Sequence, residues 1–372
     1  MTRPVLGPKD RLVLKIGTSS LAGPDGEPDD QRIATLVDGI QAARAEDIEV
    51  VLVSSGAIAA GLRPLGLTVR PTDIPTLQAA AAVGQGILLQ LYARAFAGKD
   101  VTAAQLLLTR YDFMHRGQYL NARNTLDRLL ALGVLPIVNE NDTVAVDEIR
   151  FGDNDRLAAL VANLGRAKLL LLLTDARGVH SVDPRKDPDA PVIDEVDRIT
   201  PELEKIAGNS GSELGSGGMS SKIAAAWVAT FSGAGVVVAG ASEPDVIPRI
   251  ARGERIGTYF HPHPHHTSAR RLWIAFAQPP KGTVVVDDGA RAAVVLRKTS
   301  LLPVGVVAVE GRFAPGDTVD VAVRAGGVFA RGLVRYSSDE LSEARGSRTS
   351  ELARREVIHR DELMVLEGTE TE

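Results

Sequence analysis

Two lysines and one run of short polar side chains are the residues best suited to chemistry in this chain. Lys15 lies inside the apolar run Leu12–Ile16, two residues before the turn Gly17-Thr-Ser-Ser20. A lysine in a buried strand normally runs its stem to an edge. Beside a glycine turn, its ammonium and the free backbone N–H groups can instead meet a phosphate. Lys222 closes Met219-Ser-Ser-Lys222, after a stretch with glycines at 208, 211, 215, 217 and 218 and serines between them. Glycines let the backbone approach phosphate oxygens, serine hydroxyls donate, and a helix starting there adds its N-terminal N–H groups. The plainer alternative is a flexible loop. Neither a Walker A pattern nor a dinucleotide fingerprint occurs. Between the lysines lies Asn139-Glu-Asn-Asp142, followed after a short apolar excursion by Gly152-Asp-Asn-Asp155. Singly, such residues make turns and helix caps. Together they form a polar rim for a small zwitterion, with carboxylates for its ammonium, and amides and helix-start N–H groups for its carboxylate.

The elements that position these residues follow from hydrophobic periodicity. Strands are expected at Leu12–Ile16, Glu49–Val53, Leu106–Leu108, Val134–Val138, Lys168–Thr174 and Val236–Ala239. Helices are expected from Asp30, with Asp29 or Asp30 as cap, over Ala57–Leu65, Tyr119–Leu132, Arg156–Leu164, Met219–Phe231 and Pro244–Ala251. Leu77–Ala97 reads as helical but interrupted at Gly84-Gln-Gly86. Strands alternating with helices over about 250 residues predict an α/β fold whose mainly parallel sheet is covered by helices on both faces. After His261-Pro-His-Pro-His-His266, a solvated connector rather than a metal site, short β-rich runs take over at Thr283–Val286, Val304–Val309, Val319–Val323 and Val328–Val334. They predict a small barrel-like domain of about 80 residues.

The motifs Leu14-Lys-Ile-Gly-Thr-Ser19, Val53-Ser-Ser-Gly-Ala-Ile-Ala-Ala-Gly61, Asn139-Glu-Asn-Asp142, Gly152-Asp-Asn-Asp155, Leu173-Thr-Asp175 and Gly215-Ser-Gly-Gly-Met-Ser-Ser-Lys222 stand in order along residues 10–260. Together they resemble the glutamate 5-kinases of the amino-acid kinase superfamily. Val284-Val-Val-Asp-Asp-Gly-Ala290, Ser300-Leu-Leu302 and Tyr336-Ser-Ser-Asp-Glu340 are similar to the PUA domain that bacterial members carry. The resemblance implies an amino-acid kinase domain over 1–260, a linker over 261–280, and a β-rich PUA barrel with a C-terminal tail over 281–372. It implies ATP-dependent phosphorylation of the γ-carboxylate of L-glutamate, the first step toward proline, with feedback inhibition by proline. It places Ser55, Asn139, Asp142 and Asn154 on glutamate. Lys15, Thr174, Asp175, Ser216, Gly217, Gly218, Met219, Ser220, Ser221 and Lys222 fall on the nucleotide side. Lys15, Lys222 and Asp155 are the implied catalytic group, with Lys222 on the moving phosphoryl and Asp155 orienting the two lysines. Mg²⁺ would ride on the ATP phosphates, and no protein-only metal site is expected. Ser54 and Ser216 stand where threonine is common in the family, which keeps the hydroxyl. A homo-oligomer and a hand-off to glutamyl-phosphate reductase are further expectations.

Composition narrows the field. Hydrophobic content of 44% with 24% charge allows a sizeable core, and 4% aromatics means that it rests on aliphatic side chains. With no cysteine, disulfides, thiol catalysis and cysteine metal sites are excluded. A net charge of −5 argues against a general nucleic-acid or anionic-membrane binder. No signal peptide and no apolar stretch of about 18 residues is read, so a cytoplasmic protein without a membrane span is expected. Two alternatives stay open: another acceptor (acetylglutamate, aspartate or a nucleoside monophosphate), and an RNA-binding role for the PUA region. Residues 281–360 hold thirteen Lys/Arg against ten Asp/Glu, a mixed surface rather than a basic stripe.

Overall fold

In the computed structural model, residues 3–23, 28–144, 154–182, 187, 189–200, 203, 206, 218–263, 280–324, 327–347 and 356–366 are described. The first elements are β1 (Arg11–Ile16), α1 (Thr18–Leu21), α2 (Asp30–Ala45), β2 (Glu49–Val53), α3 (Ala57–Leu62), α4 (Ile74–Ala97), β3 (Ala103–Leu108), α5 (Arg110–Met114) and α6 (Arg116–Ala131). Then come β4 (Leu135–Glu140), α7 (Asp155–Leu164), β5 (Leu169–Thr174), β6 (Glu195–Val196), α8 (Met219–Phe231), β7 (Gly235–Gly240), α9 (Val246–Ala251) and β8 (Thr258–Phe260). They build an eight-stranded sheet in the order β3-β4-β2-β1-β5-β7-β8-β6. The first six strands of that order are mutually parallel, while β8 runs antiparallel to β7. The expected parallel α/β architecture is therefore present. The sequence reading misses β6 and β8, which at two and three residues are too short for alternation to register.

Side chains alternate between the two faces of a strand, and β1 shows what this does for Lys15. Leu12, Leu14 and Ile16 join a core with Ile33, Val37 and Ile40 of α2, Leu88 and Tyr92 of α4, and Ile247 of α9. Lys15 therefore falls on the opposite face, the one on which α7 packs against β1. There it stays buried instead of reaching an edge.

Helix α2 begins as expected, with the Asp29 side chain accepting from the Arg32 backbone N–H at 2.9 Å. Helix α4 departs from expectation: it runs unbroken from Ile74 to Ala97, through Gly84 and Gly86. The reason is a close crossing with α3. A Cβ added at Gly84 would lie 1.7 Å from the Ala57 carbonyl oxygen, and one at Gly61 would lie 1.9 Å from that of Ala80. Each glycine admits the other helix's backbone, so Gly84 is a contact residue and not a break. Gly84→Ala should lower stability by on the order of 3 kcal/mol or more through overpacking; a shift in the urea midpoint measures it. An unchanged midpoint would mean that the helices can separate freely. By length and composition α4 could also cross a membrane, its mean hydropathy reaching 1.2, although no such segment was expected from the sequence. Its Leu77, Ala80, Ala81, Leu88, Tyr92 and Phe96 are buried in this fold.

The chain divides into two units, Met1–His266 and Thr267–Glu372. In the second, β9 (Gly282–Val286), α10 (Asp288–Val295), β10 (Val306–Gly311), β11 (Thr318–Val323), β12 (Val328–Leu333), α11 (Ser338–Ala344) and β13 (Leu363–Val365) form a five-stranded sheet with two helices. Its order is β10-β9-β11-β12-β13, and β9–β11 is the parallel pair. Val284, Val319, Val321, Phe329 and Leu341 centre its core. The four strands read from the sequence are there. Strand β13 and both helices were not read, although Ser337 and Glu340 form a capping box at the start of α11.

Candidate active site

The carboxyl ends of neighbouring parallel strands are where α/β sheets collect ligands. Here β4, β2, β1 and β5 end side by side, at Glu140, Val53, Ile16 and Thr174. Two polar networks occupy this edge.

The first is ionic. Asp155, the first residue of α7, is fully buried. Its Oδ1 lies 2.5 Å from Lys15 Nζ and its Oδ2 lies 3.1 Å from Lys222 Nζ, in the first turn of α8. The Ser221 hydroxyl is 2.9 Å from the same Oδ2 and 2.7 Å from the Gly218 carbonyl. Burial pushes the Asp155 carboxyl upward, but the two ammonium groups outweigh it and hold the group well below the usual carboxylate range. Two ammonium groups share one carboxylate here in a buried setting at the sheet edge, an arrangement suited to meeting an anion.

The second network is built of amides. Asn154 Nδ2, just ahead of α7, donates to the Ser54 carbonyl at 2.5 Å and to Asn139 Oδ1 at 2.6 Å. Asn139 Nδ2 donates to Gln85 Oε1 at 3.2 Å, and Gln105 Nε2 donates to the same oxygen at 2.7 Å. Gln85 Nε2 in turn donates to the Glu140 carbonyl at 3.1 Å. The Ser54 hydroxyl pairs with the buried Tyr92 phenol at 2.9 Å, and burial raises the phenol's pKa. The Ser55 hydroxyl is buried without a hydrogen-bond partner among the described residues, which leaves it for a ligand.

The remaining residues singled out in the sequence fall around these networks. Asp142 sits half-buried in the turn after β4. Thr174 ends β5, and the adjoining Asp175 accepts from Ser20 of α1 at 2.8 Å instead of joining Asp155. Gly218 caps α8, which opens with Met219 and Ser220. Gly152, Asp153, Ser216 and Gly217 lie outside the described residues. Sequence reasoning missed Gln85, Gln105, Tyr92 and Ser20. The signal for Gln85 was a lone amide on the apolar face of α4, between the two glycines taken for a break.

Sequence comparison places this geometry in a family. The amino acid kinase family model matches residues 10–240, and the PUA domain model matches residues 282–355. A glutamate 5-kinase of Geobacter sp. (strain M21) is 45% identical, over 98% of this chain and 100% of its own length. That of Thermobifida fusca is 46% identical, over 100% of this chain and 97% of its own. The chain belongs to the glutamate 5-kinases of the amino acid kinase family. A third member, from Acaryochloris marina, is 48% identical over 95% of the chain. Family membership and end-to-end coverage agree with the two units seen in the structure.

Proposed function

We propose that this chain transfers the γ-phosphoryl group of ATP to the γ-carboxylate of L-glutamate. The products are L-glutamyl 5-phosphate and ADP, in the first step toward proline, carried out in the cytoplasm. The observation that carries the reading is the buried Lys15–Asp155–Lys222 bridge beside the amide network, in a chain nearly half identical to glutamate 5-kinases. A carboxylate oxygen attacks the γ-phosphorus and the bond to the β,γ-bridging oxygen breaks. The acceptor is already ionised at pH 7, so no general base is needed. Such a transfer asks for alignment and for positive charge where charge develops.

In this reading Ser55, Asn139, Asp142 and Asn154 hold glutamate. Lys15, Thr174, Asp175 and the segment from Ser216 to Lys222 hold ATP. Lys222 stabilises the moving phosphoryl, while Asp155 keeps both ammonium groups in place. Among the described residues no cluster of three or more His, Asp or Glu is built for a metal. Lysines and hydroxyls at the strand ends suit the ATP phosphates, and a Mg²⁺ bound to those phosphates would neutralise part of their charge. The deciding assays are ATP- and glutamate-dependent hydroxamate formation, which traps an acyl phosphate, and ADP release with acetylglutamate, aspartate and UMP as rival acceptors. Turnover of a rival acceptor, with glutamate inert, would overturn the reading.

Proline shares glutamate's ammonium and α-carboxylate but lacks its γ-carboxylate, so we propose that it inhibits by occupying part of the same rim. Asp142→Ala should then raise the KM for glutamate and weaken proline inhibition together, each on the order of 10- to 100-fold. Glutamate titrations at several proline concentrations read both. Intact proline inhibition beside collapsed glutamate affinity would show two separate sites.

A further inference from the structure

The amide network has a direction, and main-chain groups set it. The Glu140 carbonyl only accepts, so the Gln85 atom facing it is Nε2, and Gln85 Oε1 is left to receive Asn139 and Gln105. The Glu140 backbone N–H only donates, so the Asn139 atom 2.9 Å away is Oδ1. The Ser54 carbonyl only accepts, so it faces Asn154 Nδ2. Asn154 donates to Asn139, Asn139 to Gln85 and Gln85 to the Glu140 carbonyl, so the chain begins at Asn154, whose Oδ1 receives no donor among the described residues. The buried hydroxyl of Ser55, the residue after the Ser54 carbonyl that Asn154 meets, is likewise without a partner among the described residues.

We propose that Gln85 is a positioning and specificity residue of the acceptor pocket. By accepting from Asn139 it holds the Asn139 carbonyl on Asn154. That commits both Asn154 N–H groups and presents the Asn154 carbonyl oxygen to the ligand. The pocket then prefers an acceptor whose α-substituent is a pure donor, an ammonium, over one bearing a hydroxyl. This rests on the glutamate kinase reading above. Gln85 touches neither the nucleotide nor the ionic bridge in any contact described, so its effect belongs to the acceptor alone. Asn139 is almost wholly buried, and without Gln85 its Nδ2 has no other acceptor among the described residues.

The test compares the full-length enzyme with Gln85→Met, which fills the space without polar atoms, and with Gln85→Glu, whose buried carboxyl in its protonated form keeps both the acceptor toward Asn139 and a donor toward the Glu140 carbonyl. The readouts are KM for L-glutamate, KM for ATP, and the inhibition constant of L-2-hydroxyglutarate competing with glutamate. In Gln85→Met, glutamate affinity should fall roughly tenfold, while the affinities for hydroxyglutarate and ATP stay within about threefold. Gln85→Glu should keep the wild-type preference for glutamate. Equal losses for glutamate and hydroxyglutarate would reduce Gln85 to a packing residue and overturn the proposal. Loss of the preference in Gln85→Glu would do the same, and this isosteric variant decides the matter if Gln85→Met does not fold. A wild type without glutamate-dependent ADP release would instead remove the function on which the proposal rests.

Discussion

Lys222→Ala should reduce kcat by about 10²-fold while leaving the KM for glutamate within about threefold, a loss of roughly 3 kcal/mol of charge stabilisation at the transferring phosphoryl. The asymmetry follows from geometry. The Lys222 ammonium belongs to the ionic bridge on the β1 side, whereas Asn139 and Asn154 belong to the amide network behind β2 and β4. Removing it leaves the Lys15–Asp155 pair at 2.5 Å intact, so the buried carboxylate keeps a counter-charge and the fold should stand. Lys222→Met, which retains most of the stem, should lose activity to the same extent. Single-turnover rates at saturating glutamate are the decisive measurement, and near-normal turnover in either variant would remove Lys222 from the chemistry.

Asp155→Asn is expected to fail in both stability and turnover. It removes the carboxylate that two buried ammonium groups share, and breaking a buried pair in this way costs about 3–5 kcal/mol. The double variant Asp155→Asn/Lys222→Met also removes one of the two ammonium groups and should recover part of that stability with none of the activity. There is also a pH signature. The Asp155 carboxyl is held below its ordinary value, so its contribution is present above the unfolded-state pKa near 4 and is lost as pH falls through the folded-state value. Stability in acid should therefore decline less steeply in Asp155→Asn than in wild type. Chemical denaturation between pH 3 and pH 7 measures both effects; parallel pH curves would show that the bridge does not stabilise the fold.

The parallel strands were legible because they are mostly aliphatic runs, most of them giving way to glycine, serine, threonine, asparagine or aspartate. The same endings marked Lys15, Ser55, Asn139, Asn154 and Asp155, which the fold gathers at one sheet edge. Whether Asp155 would meet both lysines was not readable from spacing. It depends on Lys15 falling on the face of β1 against which α7 packs, and on the first turn of α8 arriving at the same point. Gln85, Gln105 and Tyr92 were hidden for a related reason. A buried amide in an Ala-rich helix has no local signature, and its partners are 20 and 54 residues away in the chain. The glycines beside it suggested a break because their use, contact with a second helix, is a tertiary fact.

That contact limits how the acceptor pocket can be altered. Helix α3 starts two residues after Ser55, and α4 carries Gln85 next to Gly84, so both helices reach the amide network. Their backbones meet through Gly61 and Gly84 with no room for a methyl group. Neither helix can be pushed closer to the other, and moving one outward would carry the other with it. A laboratory effort to accommodate a bulkier acceptor should therefore leave α3 and α4 alone and vary the turn after β4, around Asp142. The helical wall acts as a fixed gauge, and the turn after β4 is the adjustable jaw.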